Sequence, residues 1–600
     1  MPFQISPGIN ISERDLTHVV PNVATSIGAM AGSFQWGPVL ERITITTENE
    51  LVKLFGKPDN DTFKSFFTAA NYLAYSNNLI VVRNVAAAAK NAVVGDIDNG
   101  TNVLVKNKDN YDSSTYTDQL FIAKYPGALG NSLKAIAIDN FGWTAAVAAH
   151  ANTPSTATAD QKLFLSNFNG APGSSQDVIA ANGGSGTYND EIHILVIDSG
   201  GQWTGLVGDV LEAHAYVSMA EHAKKIDGSS NYVKDVLSNE SDYVWLGDVD
   251  ELTANSDDTT PNARNAGSPK VGAVFKMFAN SSAAYYPGGI LGGSAGSLGV
   301  DANDLSVGEY NAGYNLYSNA DVVDITLVMQ GGATSVTGKY IIDTLASTGT
   351  RMDCVAFVSP NIDTVVAAGS ISSTIATGVV ADKTSMGSSN YAVMDSAWKY
   401  QYDQYNDVFR YVPMNADIAG LCARTDFTND AWWSPAGMTR GQIKNIIKLS
   451  WDASKADRDT LYSGGANPFH AMTGTGVMLW GDKTMQVVPS AFDRINVRRL
   501  FIVMEKAISI AAKAMLFEFN DEFTRAQFVN MVAPFLREIQ GRRGITDFKV
   551  VCDSSNNTGQ VIDTNNFVGD IYVKPNRSIN YIQLNFIAAR SDVSFTEIGA

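Results

Sequence analysis

The sequence has few of the residues that most often build chemical sites in proteins. Its 600 residues include three cysteines and six histidines. Cys354, Cys422 and Cys552 are far apart in the chain and form no CxxC pair. They therefore predict neither a disulfide framework nor a zinc site, and they indicate a reducing compartment. No histidine stands in HExxH or another ligand spacing, so neither a metal nor another cofactor is expected.

Motifs of catalysis are missing as well. There is no GxSxG elbow, and the glycine-rich run at 287–293 lacks the GKS or GKT ending of a phosphate-binding loop. We expect that run to be a flexible loop and the GDKT sequence at 481–484 to be a turn. Carboxylates such as Asp248, Asp250 and Glu251 cluster without the spacing of an acid/base pair, which indicates solvated loop charge. The sequence therefore does not predict an enzyme.

Positive charge and long apolar runs are scarce too. The chain has 43 Lys and Arg against 61 Asp and Glu, a net charge of −18. An acidic chain repels phosphate backbones, so direct nucleic-acid binding is not expected. No apolar run reaches the roughly 20 residues that a membrane-spanning helix needs. The N-terminus has neither the basic nor the apolar region of a secretory signal, so we expect no membrane insertion and no secretion.

What is present is the composition of a folded chain with several units. Hydrophobic residues make up 45% of it and charged residues 17%, so large cores can form. Residues 24–90 look compact, with a helix predicted at 63–75 and a buried strand at 79–82. Residues 91–190 are rich in small and polar residues, which favours a β-rich inserted outer domain. A loosely packed linker is the alternative, and a strand predicted at 133–138 favours the domain.

The middle of the chain reads as a second insertion followed by a return to the core. Residues 191–345 are expected to form an inserted α/β domain. Its predicted strands lie at 192–197 and 322–329, and a helix is predicted at 207–225. Residues 346–485 show a denser, aromatic-rich pattern and are expected to complete the core that 24–90 begins.

Residues 486–600 are expected to form a C-terminal core domain. Apolar residues at helical spacing between 500 and 515 predict one helix, and those between 528 and 539 predict another. Pro534 should kink the second helix or mark its true start. Two strands are predicted after them, at 548–552 and 571–574.

Charge within this C-terminal segment departs from the rest of the chain. Residues 491–550 hold ten Lys and Arg against seven Asp and Glu. A basic segment in an acidic chain indicates an electrostatically steered contact with an acidic partner. Ion pairing within the chain is the alternative, because basic side chains commonly pair locally.

Both ends of the chain show the alternation of lone strands. The N-terminal arm, residues 1–23, has its apolar positions at Phe3, Ile5, Ile9 and Ile11, with a break at Pro7 and Gly8. Near the C-terminus the apolar positions are Ile582, Leu584, Phe586, Val593 and Phe595. Strands this short form no stable sheet alone, so each must pair with a sheet edge elsewhere.

Several short motifs in the C-terminal third occur together and in a fixed order. They are YVPMNADIAG at 411–420, WSPAG at 433–437, NP at 467–468, GDKT at 481–484, INVRRL at 495–500, FEFND at 517–521, NNT at 556–558 and GDIYVKP at 569–575. Near the N-terminus, SPGINISE at 6–13 ends in Glu13. Together these motifs resemble contractile phage tail sheath proteins, above all those of T-even-type phages. Ile9 stands where that family usually has valine, a mild departure.

The resemblance implies a fold and a mode of assembly. The fold class is α+β multidomain, with a mixed α/β sheath core built from both chain ends, inserted outer domains and extended terminal arms. The arms, from Phe3 to Glu13 and from Ile582 to Phe595, are expected to pair with sheets of neighbouring subunits. That pairing is strand addition between identical chains in a head-to-tail contact that does not close, and it builds a helix.

The resemblance also implies partners and a role. Identical subunits are expected in helically stacked, six-fold rings around a tail tube protein, with a baseplate at one end and a tail terminator at the other. Contraction would drive the tube through the host envelope for genome delivery, in a virion assembled in the host cytoplasm. Arg498, Arg499, Arg542 and Arg543 are the residues expected to face the tube.

Two alternatives to this role stay open from the sequence. One is the sheath of a phage-derived injection device, such as a bacteriocin or a secretion system. The other is a tail adhesin or receptor-binding protein, which the Ser-, Thr- and Asn-rich middle of the chain would suit. The first would form tubes as well, whereas the second would form surface trimers or bind glycans.

Overall fold

The structure, a computed structural model, describes residues 23–94, 103–116, 119–152, 157–181, 184–185, 187, 189–221, 223–247, 285–291, 296–347, 351–366, 371–472, 474–580 and 583. Within them the strands are β1 (Gly28–Gly32), β2 (Arg42–Ile45), β3 (Leu79–Arg83), β4 (Val93–Val94), β5 (Phe121–Ala123), β6 (Leu133–Ile138), β7 (Glu191–Asp198), β8 (Asp209–Ser218), β9 (Val244–Leu246), β10 (Tyr285–Ile290), β11 (Gly296–Ser297), β12 (Leu327–Met329), β13 (Val355–Val358), β14 (Ala392–Met394), β15 (Trp398–Asp403), β16 (Val408–Pro413), β17 (Lys448–Leu449), β18 (Phe469–Met472), β19 (Gly476–Leu479), β20 (Ile545–Val551) and β21 (Asp570–Pro575). The helices are α1 (Glu48–Phe55), α2 (Phe63–Leu73), α3 (Lys108–Asp112), α4 (Asn140–Asn152), α5 (Ala159–Asn167), α6 (Gln176–Ala181), α7 (Val233–Glu240), α8 (Val307–Asn315), α9 (Ser335–Tyr340), α10 (Ile362–Val365), α11 (Ser372–Met386), α12 (Asn415–Thr428), α13 (Lys455–Gly464), α14 (Ile495–Ala512), α15 (Glu522–Gly541) and α16 (Gly559–Asp563).

The core of the chain is a six-stranded sheet with the order β14-β13-β12-β1-β3-β2. All neighbouring strands are parallel except β2, which closes one edge antiparallel to β3. Strands such as β3 and β13 are short apolar runs, LIVVR and VAFV, as expected where both faces of a sheet are covered. Helices α2, α8 and α12 pack against the sheet. The mixed α/β core that combines distant parts of the chain is therefore confirmed.

The predicted end of the insertions, residue 345, is wrong. β12 pairs with β1, with Leu327 opposite Gly28, and α8 packs against β1 and β3. Both elements belong to the central sheet and its helices, so the inserted part ends before Val307. A three-residue apolar strand looks the same in sequence whichever sheet it joins, and only its pairing with β1 assigns it.

Between β3 and α8 the chain forms two four-stranded antiparallel sheets, with the orders β10-β6-β7-β8 and β11-β4-β5-β9. The strands predicted at 133–138 and 192–197 are confirmed as β6 and β7. The prediction that 91–190 is β-rich by itself is wrong, because this segment also carries helices α3 to α6. Its three strands complete their sheets only with partners that come from outside it.

Two further predictions in this region are wrong. The helix predicted at 207–225 is strand β8, which pairs with β7 over most of its length. Tertiary pairing overrides the local pattern there. The glycine-rich run expected to be a flexible loop begins inside β10, which pairs with β6 and changes register between Tyr286 and Gly289. Glycine commonly marks such bulges because it has no side chain to place.

The C-terminal part has its own small core of α14, α15, β20 and β21. Both predicted helices and both predicted strands are confirmed. Helix α15 begins after Asp521, whose carboxylate accepts the backbone N–H of Thr524 at 2.8 Å, a helix-capping contact. Pro534 thus lies inside the helix and does not start it. The first half of α14 packs on the main core instead, since Ile495 and Ile502 are buried there.

Candidate functional site

The cysteine thiols are buried in the part of the chain that the structure describes. No cluster there of three or more His, Cys, Asp or Glu side chains could hold a metal ion. The three cysteines are buried and unbonded, and burial raises the pKa of the Cys354 and Cys422 thiols to about 12. Among the described residues, no helix is long and apolar enough to cross a membrane.

The buried ionic groups instead hold elements of the core together. Lys399 on β15 and Asp417 on α12 are both fully buried, with 2.9 Å between Nζ and Oδ1. The Tyr75 hydroxyl donates to the same carboxylate at 3.2 Å, and it accepts the backbone N–H of Lys444 at 2.7 Å. Burial lowers the pKa of Lys399 and raises those of Asp417 and Tyr75. This network links four segments of the core and has no access for a substrate.

The four arginines that the sequence assigns to a tube-facing surface separate into two pairs. Arg498 and Arg499 are only 3% and 4% exposed. Arg499 donates to Asp426 at 2.5 Å, and Arg498 donates to Glu505 at 3.1 Å. Arg499 therefore ties α14 to α12, whereas Arg498 pairs within α14 and lies over the ring of Tyr391 at 4.2 Å. Both side chains are buried in the chain as described, which contradicts the prediction that they face a partner. The INVRRL motif therefore lies where the start of α14 packs against the core.

Arg542 and Arg543 follow α15 and lie at the surface. Arg542 pairs with Asp430 and sits over the ring of Trp432 at 5.3 Å. Arg543 lies over Trp433 at 5.5 Å and has a left-handed backbone, with φ at +65°. Such a conformation is uncommon for a residue other than glycine, so the position of this side chain is specifically determined by its surroundings.

A cleft of about 670 Å³ lies beside these arginines, at the junction of the C-terminal part and the core. Its walls carry three tryptophans and three arginines: Trp432, Trp433, Trp480, Arg440, Arg543 and Arg577. The chain leaves β21 along the cleft, where Ser578 and Asn580 donate to the Asp482 carboxylate at 2.7 and 3.0 Å. Asp482 comes from the GDKT sequence predicted to be a plain turn. Asp482 anchors the segment that follows β21, a role that no spacing in the sequence indicates.

The antiparallel pair of β20 and β21 is a sheet with open edges in the part of the chain that the structure describes; β18 and β19 form another two-stranded sheet. The β20–β21 pair forms a two-stranded sheet, and in the described residues no third strand pairs with either outer edge. Most of its side chains are exposed or half-buried. The strand positions predicted for the terminal arms, from Phe3 to Glu13 and from Ile582 to Phe595, lie outside the described residues.

Sequence reasoning gave no role to the exposed aromatic residues. Phe517 and Phe519 in the loop between α14 and α15 are almost fully exposed, and the neighbouring Leu516 and Phe523 are exposed by more than half. Tyr402 and Phe409 form a second exposed aromatic surface on β15 and β16. A signal was present in the first case, because the FEFND motif at 517–521 follows an amphipathic helix with aromatic residues where a turn is expected.

Comparison with known proteins places the chain in a family. Three family models match: "Tail sheath protein Gp18 domain III N-terminal region" over residues 25–83, "Phage tail sheath protein central domain" over 336–485 and "Phage tail sheath C-terminal domain" over 487–589. The tail sheath protein of Vibrio phage KVP40 is 35% identical, over 99% of both chains. That of Enterobacteria phage T4 is 33% identical, also over 99% of both.

A solved structure of a sheath tail protein from Desulfitobacterium hafniense overlaps 92% of this chain and 94% of its own, with 12% identity and a TM-score of 0.48. The assignment rests on the sequence relatives, which extend over the whole length, and on the family models at both ends. Tail sheath proteins are structural, which agrees with the closed polar groups of the core. The chain belongs to the phage tail sheath protein family.

Proposed function

We propose that this chain polymerises helically around a phage tail tube and that contraction of the polymer drives the tube through the host envelope. The observation that supports this best is the β20–β21 hairpin, a two-stranded sheet with both edges open in the described residues. Isolated two-stranded sheets are marginal in water, and open edges are templates for further strands. A family of polymer-forming proteins has a direct use for such edges.

The terminal arms are the strands proposed to fill these edges. Phe3, Ile5, Ile9 and Ile11 alternate as one face of a strand. The chain leaves β21 held against the core by Asp482, so the following segment starts from a fixed point beside the hairpin. Each arm would add backbone hydrogen bonds worth about 0.5–1.5 kcal/mol apiece to a neighbour's sheet. Several such bonds at each joint keep the subunits linked while the packing around them changes.

Contraction then needs no nucleotide. The sheath would assemble in an extended, metastable state, templated by a baseplate and closed by a tail terminator, in six-fold rings. Each subunit would move outward as a near-rigid body, and the free energy would come from the difference between two packings of the same surfaces. The buried Lys399–Asp417 pair and the Arg499–Asp426 pair support the rigid-body part of this proposal, since both tie separate elements of the core together.

Arg542 and Arg543 remain as the tube-facing residues of the proposal. Both lie at the surface beside an aromatic cleft, and Arg542 is about half exposed. Charge reversal at Arg543 should slow assembly on tubes at low salt and have less effect at high salt, because exposed charges act mainly on association rates. Unchanged assembly at low salt would remove Arg543 from the contact.

The decisive experiment is electron microscopy of the purified chain with and without its first 13 residues. The complete chain should form long, hollow, striated tubes or stacked rings. The shortened chain should stay folded by circular dichroism and form neither. Tubes from the shortened chain would refute the role of the N-terminal arm, and surface trimers from the complete chain would favour an adhesin.

The relatives bear on whether the sheath serves a virion or an injection device. The three tail sheath proteins found at 32–35% identity come from phages of Vibrio, Enterobacteria and Salmonella. They favour genome delivery from a virion assembled in the host cytoplasm. Capsid genes beside the gene for this chain would support that choice, and their absence would favour an injection device.

A further inference from the structure

The loop between α14 and α15 projects large apolar side chains into solvent. Leu516, Phe517, Phe519 and Phe523 are each more than 60% exposed, and Phe519 is 83% exposed. Phe517 has a left-handed backbone, with φ at +72°. A bulky residue in that region is strained, and such strain persists where the surroundings enforce it, often at functional sites. We call these four residues, which extend from the end of α14 into the first turn of α15, the aromatic loop.

The aromatic loop is held rigidly. Asn520 at its centre donates to Asn557 Oδ1 at 3.2 Å and to the backbone carbonyl of Asn566 at 2.8 Å. Arg525 donates to the side-chain and backbone oxygens of the same asparagine at 2.8 and 3.0 Å. Asp521 then caps α15. A preorganised apolar projection loses little conformational entropy on docking, which is the usual property of a binding hot spot.

A second aromatic surface lies on the sheet of β15, β16 and β17. In this sheet the polar face is buried and the aromatic face is exposed, the reverse of the usual arrangement. The inner face of β15 is polar and buried: Lys399, Gln401 and Asp403. The outer face carries Tyr402 and Phe409, 47% and 52% exposed, with ring centroids 5.3 Å apart. A sheet on a protein surface ordinarily turns its apolar face inward. We call the outer side chains, Tyr400, Tyr402, Phe409 and Tyr411, the aromatic face.

The inversion is tolerated because each of the three inner polar side chains of β15 has a partner. Lys399 bonds Asp417, Arg410 donates to Asp403 at 2.8 Å, and Gln401 accepts the side chain of Asn71 at 2.9 Å. The outer rings stack on one another: Tyr400 lies 4.7 Å from Tyr411 and 5.5 Å from Phe409. Tyr411 also packs against the main core, and Tyr402 and Phe409 are the exposed end of the face. An exposed aromatic patch of this kind marks an interaction site.

Charge distinguishes the two surfaces and makes the β17 end of the aromatic face complementary to the aromatic loop. The aromatic loop is interleaved with Glu518, Asp521 and Glu522. The aromatic face carries Lys448 on β17, with its ammonium 4.9 Å from the ring centroid of Tyr400. Asp407 lies at the other end, in the turn between β15 and β16, where it accepts the Tyr402 hydroxyl at 2.8 Å. A loop that approaches from the β17 side therefore meets a cation first.

We infer that the aromatic loop of one subunit docks on the aromatic face of a second copy of this chain. Two different surfaces of one chain that fit each other give a head-to-tail contact, and such a contact does not close but propagates. The inference rests on the proposed function in that it assigns residues to a lateral contact of the same polymer. It is separate from the arms, because it buries side chains and adds no strand.

Cysteine cross-linking in assembled tubes tests the contact directly. Phe519→Cys and Phe409→Cys are combined in one chain, tubes are formed and then mildly oxidised, and products are separated under denaturing conditions. The native cysteines are buried, so they do not compete. The expected result is a ladder of covalent dimers, trimers and higher multimers that each single variant lacks. The matched control pairs Phe519→Cys with Ile226→Cys, a fully exposed position in the outer part of the chain, and should give no ladder.

Charge exchange gives a second, independent measurement. Lys448→Glu should raise the critical concentration for tube formation at low salt by about tenfold, the lower end of what a hot-spot contact carries. Adding Glu518→Lys to the same chain should restore most of the loss. Both residues are at the surface, so neither change threatens folding, and the pair gives a result even if the cysteine variants assemble poorly.

The outcomes separate this contact from the proposed function. Tubes of the parent chain by electron microscopy support polymerisation regardless of cross-linking. Normal tubes without a loop-to-face ladder, abundant disulfide dimers from Phe519→Cys alone, or a Lys448→Glu chain that assembles like the parent would each overturn the contact and leave the sheath assignment intact. A parent chain that never polymerises would overturn both.

Discussion

Removing the charge of Asp417 should destabilise the core, by an amount that depends on pH. The Asp417 carboxylate is fully buried, 2.9 Å from the Lys399 ammonium, whose other acceptor is the Lys444 carbonyl at 3.1 Å. Asp417→Asn keeps the shape of the side chain but leaves that ammonium without a counter-charge. Breaking a buried pair in this way costs about 3–5 kcal/mol. We therefore expect a loss of roughly 3 kcal/mol at pH 7, given that the amide oxygen can still accept a hydrogen bond.

The pH dependence follows from the direction of the lysine shift. Burial already lowers the pKa of Lys399, and loss of the carboxylate, which raises it, will lower it further. The pKa of a lysine in the unfolded chain is about 10.4. At pH values between the pKa of Lys399 in the folded variant and this unfolded pKa, the unfolded state binds more protons than the folded state. The stability of the variant must then rise with pH, by up to about 1.4 kcal/mol per unit. The free energy of unfolding that the variant loses relative to the parent chain should be smaller at pH 9 than at pH 7.

The assay is urea unfolding below the concentration at which tubes form, followed by tryptophan fluorescence. Trp398 and Trp451 report on this part of the core, because their indoles donate to the carbonyls of Pro360 and Ser396. The control is the double variant Lys399→Met with Asp417→Leu, which removes both charges and should lose less stability than Asp417→Asn alone. A deficit that is equal at pH 7 and pH 9, or a double variant worse than the single, would refute the reasoning.

Three further predictions concern single side chains. Arg83→Lys should cost about 2–4 kcal/mol in thermal or urea unfolding, because the buried guanidinium donates to the carbonyls of Phe34, Gln35, Gly37 and Pro126 and an ammonium cannot reach them together. Asp482→Asn should speed hydrogen exchange at residues 576–580 about tenfold or more, since a weaker acceptor holds Ser578 and Asn580; unchanged exchange would contradict the anchoring role. The three cysteines should resist a thiol reagent at pH 8 until the chain unfolds, and rapid labelling of the native protein would contradict their burial.

The parts of the fold that the sequence predicted well are those in which local pattern and tertiary role agree. Helices α14 and α15 bury one face each, so their apolar residues recur at helical spacing. Strands β3, β6 and β7 are apolar runs bounded by polar or glycine residues. In each case a window of five to twenty residues carries the whole signal.

The failures have a different cause, because they depend on partners distant in the chain. β8 has apolar and charged residues in an order that suits a helix, and only its pairing with β7 makes it a strand. β12 could join either sheet until β1 is placed beside it. Arg499 reads as surface charge because its acceptor, Asp426, is 73 residues away and shares no motif with it.

The same limit explains why the aromatic face was invisible in the sequence. In WKYQYD the aromatic and polar residues alternate, and alternation fixes only that the two kinds lie on opposite faces. A sheet at a protein surface ordinarily turns its aromatic side chains inward. The structure turns them outward because Asp417, Arg410 and Asn71 supply a partner for each polar side chain of β15 on the other side. Which face is buried is decided by those three residues, from three other segments.

Buried ion pairs in the core and exposed aromatic rings at the surface suit a subunit that keeps its own fold while its contacts with neighbouring subunits change. Buried ion pairs are strongly disfavoured from opening, because either charge left alone is costly. Exposed aromatic surfaces, by contrast, form and break contacts without any cost inside the subunit. Arg499 ties α14 to α12 of the core, and Arg498 packs on the ring of Tyr391, so the loop after α14 and the face on β15 keep a fixed spacing. With the spacing fixed, a shift of one subunit relative to the next changes the loop-to-face contact and not the fold of either subunit.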